Sequence, residues 1–320
     1  QTNNIHTVIL EDGVTQISLY AFLRHTNLTN IIIPDSVTFI DSYAFSECKK
    51  LESVHLPPNL TEICSGIFDG CSNLTNIVIP EGVTVIDHAA FTDCINLKDI
   101  SLPTTLTTIE DVAFGRCSSL TSITIPKNVT SIGNHAFQYC TNLTSIILPD
   151  GLSQIEKYTF EKCYNLKRIT IPSAVQSIDE SAFSGCTSLT DVTYTGTKAM
   201  WSDISIDDTG DGNAPLHSAT IHCTDGDILP TSTVSSEEND IFPSTATGDD
   251  HSFAASFSDL TPGVSYVVIV SRSEIDPLAP ENLIYINQFR ASSSDYQQSF
   301  QTPRSSALNA DDMTYVIASG

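Results

Sequence analysis

Apolar positions recur along the first two thirds of the chain with a fixed step of 23 residues. Phenylalanine keeps that step at Phe22, Phe45, Phe68, Phe91, Phe114, Phe137, Phe160 and Phe183. Proline keeps it from Pro34 to Pro172, and cysteine from Cys48 to Cys186. The clearest copy runs from Leu120 to Asn142. Its opening, Leu120-x-x-Ile123-x-Ile125, alternates as a strand does, with Ile123 and Ile125 inward and Thr124 outward. Pro126 cannot donate to a ladder and ends the strand. Val129 and Ile132 then face inward on the return path, Ala136 leaves room for the Phe137 ring, and Cys140 precedes the next leucine, Leu143.

One such unit cannot close a core by itself. Stacked on its neighbours it forms a continuous apolar column. The combination I-P-x-x-V-x-x-I-x-x-x-A-F-x-x-C-x-x-L, carried for example by Ile125 to Leu143, resembles the BspA-like class of bacterial and protozoan surface leucine-rich repeats. The resemblance covers about residues 5–226. It implies a curved solenoid with a parallel sheet on its concave side. It also implies a secreted or surface-attached protein, of a kind in which some members bind host proteins. The family has no fixed catalytic residues to carry over.

In order along the chain, residues 5–27 form a variant first coil, in which Glu11 replaces the proline and His25 the cysteine. Residues 28–188 hold seven regular coils. In one of them Ile67 takes the usual alanine position, and Gly66 before it makes room. Residues 189–226 are read as a C-terminal cap, with Trp201 as a lid over the last coil. The stretch Tyr194 to Trp201 and the later Ala219-Thr-Ile-His222 resemble the degenerate terminal repeat of the same family. Residues 224–250 have linker composition. From 251 onward the pattern is all-β, with strands expected at 251–257, 264–270, 283–289, 296–300 and 313–318. Leu260-Thr-Pro-Gly-Val-Ser-Tyr266 resembles the tyrosine corner of fibronectin type III sandwiches. More than 40 residues follow that strand, more than such a module needs. The expected fold class is an α/β-type leucine-rich-repeat solenoid over 1–226, mostly strand and loop with short helical turns. An Ig-like or fibronectin-like all-β sandwich over 227–320, with its linker, follows it.

Charge narrows the partners. Lys and Arg number 14 against 38 Asp and Glu, a formal charge of −24. Such a surface repels phosphate backbones and anionic headgroups, so neither nucleic acid nor membrane insertion is expected. No run reaches the roughly 18 apolar residues of a membrane span. Nine cysteines are present, seven of them at one repeat position. That regularity reads as a buried small hydrophobe rather than a disulfide framework. The start at Gln1, with the repeat running by Ile5, reads as a mature or trimmed chain.

The motifs that carry chemistry are absent. There is no G-x-S-x-G, no H-E-x-x-H, no G-x-x-x-x-G-K-[ST] and no C-x-x-C, so no enzymatic activity and no cofactor are expected. Asp207-Asp208-Thr-Gly-Asp211-Gly212-Asn213 sets oxygens at alternate positions, which makes Asp207 and Asp211 a calcium candidate. The position for the bidentate glutamate holds Ser218, so a polar turn in the cap is the competing reading. Five N-x-T sequons, at Asn27, Asn59, Asn73, Asn128 and Asn142, each enclose a core Leu or Val and read as by-products of the repeat.

Binding is therefore sought at the outward strand positions, where coils are free to differ. That column contains Ile32, His55, Val78, Ser101, Thr124, Ile147 and Thr170. At about 4.8 Å per strand, nine strands make a strip roughly 40 Å long, enough for a standard protein interface. The exposed aliphatic residues could mark a contact surface or simply reflect the strand preference of β-branched side chains. The function expected is protein–protein interaction or adhesion through the concave sheet of a secreted or bacterial cell-surface protein, with a host extracellular protein as candidate ligand. The alternatives are a structural stalk or display module, and glycan or mucin recognition.

Overall fold

In the computed structural model, the described residues are 4–230, together with six strand segments between 245 and 319 whose side chains are not described. The chain divides into two compact units, Gln1–Pro230 and Thr231–Gly320.

The first unit is a β-solenoid. Its long strands pair in parallel, each residue opposite the one a repeat later: Thr7 faces Asn30, Ser122 faces Ser145, and Ser145 faces Arg168. The β-branched, alternating sequence of these strands suits that pairing, because inward Ile and Val fall in line with one another. A second ladder of two-residue strands, such as Val85–Ile86 and Thr108–Ile109, runs along the return path. Between the ladders lies one core column in which Leu120, Ile123, Val129, Ile132, Phe137 and Cys140 and their repeat equivalents are buried.

The phenyl rings from Phe22 to Phe183 form an unbroken stack with centroids 5.4 to 5.7 Å apart. Each ladder thiol approaches the carbonyl of the Phe one coil back: Cys117 Sγ lies 3.2 Å from the Phe91 oxygen, and Cys140 Sγ 3.2 Å from that of Phe114. A thiol is small enough to pack beside the rings and donates weakly, so cysteine satisfies both demands of the position. All nine cysteines are free thiols.

The side opposite the long strands carries turns where short helical turns are expected from the sequence. Residues two before and two after each Phe adopt left-handed backbone, as at Tyr43 and Glu47, or His135 and Tyr139. Alternation of this kind cannot sustain a helical run. It instead aims alternate amides at the next coil: Tyr43, Phe45 and Glu47 donate to the carbonyls of Ser65, Ile67 and Asp69. Among the described residues, helices occur only in the 189–226 region, at Lys198–Ser202 and Ala214–His217 with a 3-10 turn at Thr209–Asp211.

Polar side chains reinforce the stacking. Thr29 and Thr144 donate to the carbonyls of His6 and Thr121, 23 residues earlier. Asn128 Nδ2 donates to the Thr104 carbonyl. The sequon residues thus have structural work in the repeat itself, and their middle residues are buried. Gly66 makes room for the Tyr43 ring: a Cβ there would lie 2.1 Å from a ring carbon.

Beyond Asp191–Tyr194, Trp201 is buried edge-on against Tyr194, with centroids 5.2 Å apart. Thr220–Cys223 adds the last parallel strand, and Gly226–Ile228 turns back antiparallel to it. Among the described residues of the second unit, six strands make two three-stranded antiparallel sheets. One comprises Thr245–Gly248, Ser252–Phe257 and Tyr296–Gln301, the other Ser265–Ser271, Leu283–Arg290 and Thr314–Ser319. Five of these coincide within a residue or two with the strands expected from the sequence. The packing of the two sheets into a sandwich, and the tyrosine corner, lie outside the described residues.

Candidate binding face

The long-strand sheet turns its second outward column to solvent. Ile9, Ile32, Val78 and Ile147 are 67, 50, 65 and 68% exposed. His55, Ser101 and Thr124 are also exposed, and Thr170 is half-buried. The alternation that buries Ile31, Ile77 and Ile146 necessarily lifts these neighbours off the core. Burial accounts for the inward column. It gives no reason for aliphatic side chains on the outward one, where Thr124 holds the same strand position with a β-branched side chain that is polar.

The sheet does not hold these residues as one unbroken ladder. Ile9 and Ile32 are register partners in one two-stranded ladder, and Val78 and Ser101 in another. Thr124, Ile147 and Thr170 lie side by side in a six-stranded sheet. His55 belongs to no strand: Ser53–Val54–His55 pairs with neither Asn30–Ile32 nor Asn76–Val78. The return ladder breaks at the same place, between Phe39–Ile40 and Glu62–Ile63. Two local substitutions mark this seam. Pro58 follows Pro57, so two successive residues lack an amide hydrogen. Cys64 stands where the adjoining coils have Asp41 and Asp87; it is buried, and its thiol is pushed up to about 12 by that burial and by nearby Glu62, Asp41 and Asp87. The phenyl stack continues across the seam, with Phe45 and Phe68 5.6 Å apart.

A cavity of about 470 Å³ opens at the seam, walled by His55 and Val78 together with Asp35, Ser53, Pro58 and Asn76 among others. Two of the residues singled out from the sequence, His55 and Val78, therefore line one cavity, and Ile32 stands outside its wall. Ser53 and Asn76 stand in the other outward column of the repeat, open to solvent by the same alternation, whereas Asp35 and Pro58 were not legible as site residues. The one signal for them was the Pro57-Pro58 pair, which no other coil repeats.

The calcium candidate lies elsewhere, in the cap. Asp207 Oδ1 accepts the Thr209 amide at 2.9 Å, and hydrogen bonds from Thr209 hold its carboxyl below the usual carboxylate range. Asp208 Oδ1 lies 2.9 Å from His217 Nε2. The Asp211 side chain is outside the described residues. Asn213 is turned into the cap, where it is fully buried. Among the described residues, no group of three or more His, Cys, Asp or Glu is placed to share a metal ion.

Parallel strands at a constant 23-residue register over a buried apolar column define a leucine-rich-repeat solenoid, a fold that is typically a non-enzymatic binding or scaffold structure. The family model for the BspA type leucine rich repeat region matches six copies, over residues 1–121 and 107–205, and the chain belongs to that family. No curated protein matches the chain. Among solved structures, it is similar to a leucine-rich-repeat protein of T. pallidum (32% identity over 50% of this chain and 77% of that one, TM-score 0.47). It also resembles a leucine-rich cell surface protein of Faecalibacterium prausnitzii (29% identity, 63% and 76%, TM-score 0.31). A leucine-rich-repeat protein of Bacteroides ovatus is more distant (22% identity, 61% and 76%, TM-score 0.37). No helix among the described residues is long and apolar enough to cross a membrane.

Proposed function

We propose that the chain is a secreted or bacterial cell-surface protein that binds another protein through the concave, long-strand face of its solenoid. The carrying observation is the solvent exposure of Ile9, Ile32, Val78 and Ile147 along one column of that face. Aligned aliphatic side chains held on a paired backbone gain little from water and much from a partner's apolar surface. Membership of the BspA-type family supports the surface location and the adhesive role. The net charge of −24 weighs against nucleic acid and anionic membranes as partners. In this reading residues 1–226 form the binding unit with its cap at about 189–226, and residues 227–320 an Ig-like or fibronectin-like module that serves as spacer or second contact.

The test uses the full chain against a panel of purified host extracellular proteins and a glycan array. The expected result is binding to a protein that is lost in a variant carrying Ile32→Asp, Val78→Asp and Ile147→Asp, with circular dichroism unchanged. Binding that survives all three substitutions sinks the concave assignment. Binding confined to the glycan array transfers the function to carbohydrate recognition.

A further inference from the structure

The cavity at the seam calls for an occupant, and its surroundings narrow the chemistry. At about 470 Å³ it falls within the range of ligand clefts, roughly 300–1,000 Å³. Its walls combine apolar surface from Val78, Pro58 and Pro80 with the Asp35 carboxylate, the Ser53 hydroxyl, the Asn76 amide and the His55 ring. No lining residue is Lys or Arg. The bias extends beyond the walls: residues 51–97 carry six carboxylates, from Glu52 to Asp93, and no Lys or Arg. Ser53, Val54 and His55 stand outside the sheet ladder, so their amide and carbonyl groups are not committed to either neighbouring strand. A backbone stretch of that kind, beside a carboxylate and an apolar wall, suits a donor-rich cation carried on an aliphatic stem.

From this we infer that the break in the sheet at Ser53–His55 is the anchor position of the binding face, and that it takes a Lys or Arg side chain with an adjacent aliphatic residue from a protein partner. The inference rests on the reading of the long-strand face as a protein-binding surface, and names what that surface selects. Asp35 faces the cation, the stem lies along Pro58 and Pro80, and Val78 covers the aliphatic neighbour. The long strands also part between Asp99–Ser101 and Ser122–Thr124, but both segments there are strands paired on their other side. At Ser53–His55 the segment itself is unpaired, and the paired strands supply area without this selectivity. Asp150 makes the point internally: it occupies the same repeat position as Asp35, but beside Ser145–Ile147, whose pairing with Arg168–Ile171 is unbroken.

The experiment selects a phage-displayed random dodecapeptide library on the immobilised full chain, then measures the recovered synthetic peptides by fluorescence anisotropy. Peptides in which Lys or Arg adjoins Ile, Leu or Val are expected. Asp35→Asn should weaken them by about three- to fivefold, the scale of a partly exposed ion pair. Val78→Asp should weaken them at least tenfold, and Asp150→Asn should leave them unchanged. Raising the salt should reduce affinity in the wild type and much less in Asp35→Asn. Selected peptides without a basic residue, equal loss in Asp35→Asn and Asp150→Asn, or no selection at all would overturn the anchor. Peptides that bind Asp35→Asn normally but lose affinity in Val78→Asp and Ile147→Asp reject the anchor and leave the binding face standing. Peptides indifferent to all of these substitutions reject the face as well.

Discussion

Asn213 completes the last coil of the solenoid by standing in for a coil that does not follow. Its Oδ1 accepts the Phe183 amide at 3.1 Å, and its Nδ2 donates to the carbonyls of Asp179 and Asp207 at 3.0 and 2.7 Å. In the coil before, the amide of Phe160 donates to the next coil's Ala182 carbonyl. Phe183 has no such carbonyl ahead of it, and a single fully buried amide side chain takes its place. Asn213→Ala should therefore cost about 2–4 kcal/mol, since it leaves the buried Phe183 amide and the Asp207 carbonyl short of a partner, while the Asp179 carbonyl keeps the Ala182 amide. Asn213→Asp should cost at least as much. It keeps an acceptor for Phe183, but it loses both donors and sets a charge against two carbonyl oxygens. Urea unfolding followed by tryptophan fluorescence reads both, because Trp201 lies in the same cap.

Phe114 tests the stack at its centre. Its ring is fully buried, with Phe91 and Phe137 each 5.4 Å away. Phe114→Ala should lower stability by about 3–5 kcal/mol. Phe22→Ala at the first coil should cost clearly less, because that ring is only partly buried and has a phenyl neighbour on one side. Equal unfolding midpoints for the two variants would contradict a continuous core.

The inward columns could be read from the sequence because each is set by one demand, burial, repeated at a constant step. Phe, Leu, Ile and Cys fall where the period puts them, and five strands of the second unit followed from local pattern, two of them from alternation and one from a continuous apolar run. What could not be read are features that depend on backbone conformation or on a neighbouring coil. The left-handed positions carry Tyr20, Glu47, Val112 and Lys162, with little of the glycine signature that usually marks such places. The seam at His55 depends on pairing between coils, and the sequence offered only Pro57-Pro58 and Cys64 as signs. Asn213 looked like one oxygen of a polar loop. Its role follows from the three backbone groups that surround it.

The thiols should divide by burial. The seven ladder cysteines and Cys64 are buried, and Cys223 is half-exposed. Burial pushes the Cys94 and Cys117 thiols well above their ordinary range, and Cys48, Cys140 and Cys186 up to about 12. Burial and then Asp225 also raise Cys223, so at pH 8 the native chain should react with a disulfide reagent slowly, and at Cys223 first among the described cysteines, with the remainder reacting only on unfolding. Mass spectrometry after short labelling identifies the site. Rapid modification of Cys117 or Cys140 in the native state would exclude the packing described.

His222 gives the terminal hairpin a pH dependence of predictable sign. Its Nδ1 lies 3.0 Å from Asp227 and its Nε2 3.3 Å from Asp191. Hydrogen bonds to Asp227 and then Asp191 raise its pKa above the ordinary 6.5. A raised folded value means that the imidazolium contributes stability fully below about 6.5 and loses it as the pH climbs through the folded value. Asp191, held low by Thr190 and His222, contributes in the opposite sense, and its share is lost only in acid below the ordinary carboxylate value of 3.8. The group is well exposed and the effect is screened. The difference in melting temperature between wild type and His222→Gln should shrink between pH 6 and pH 8.5. A difference that grows over that interval would reverse the assignment.

Val112 and Gly66 occupy the same repeat position and make opposite predictions. Both are left-handed, with φ of 60° and 58°. A β-branched residue is strained there, at roughly 1–2 kcal/mol, whereas Asn and Gly adopt the conformation readily. Val112 is half-buried, so the side chain gives up little packing when it is replaced. Val112→Asn should accordingly stabilise the chain by about 1 kcal/mol. Gly66 has a second constraint, because the Tyr43 ring occupies the space a Cβ would need. Gly66→Ala should destabilise by more than about 1 kcal/mol, through strain and displacement of that ring. Tyr43→Ala should relieve part of the Gly66→Ala penalty, a coupling that a double-mutant cycle measures. If backbone conformation alone governed the position, the cycle would show no coupling between the two residues.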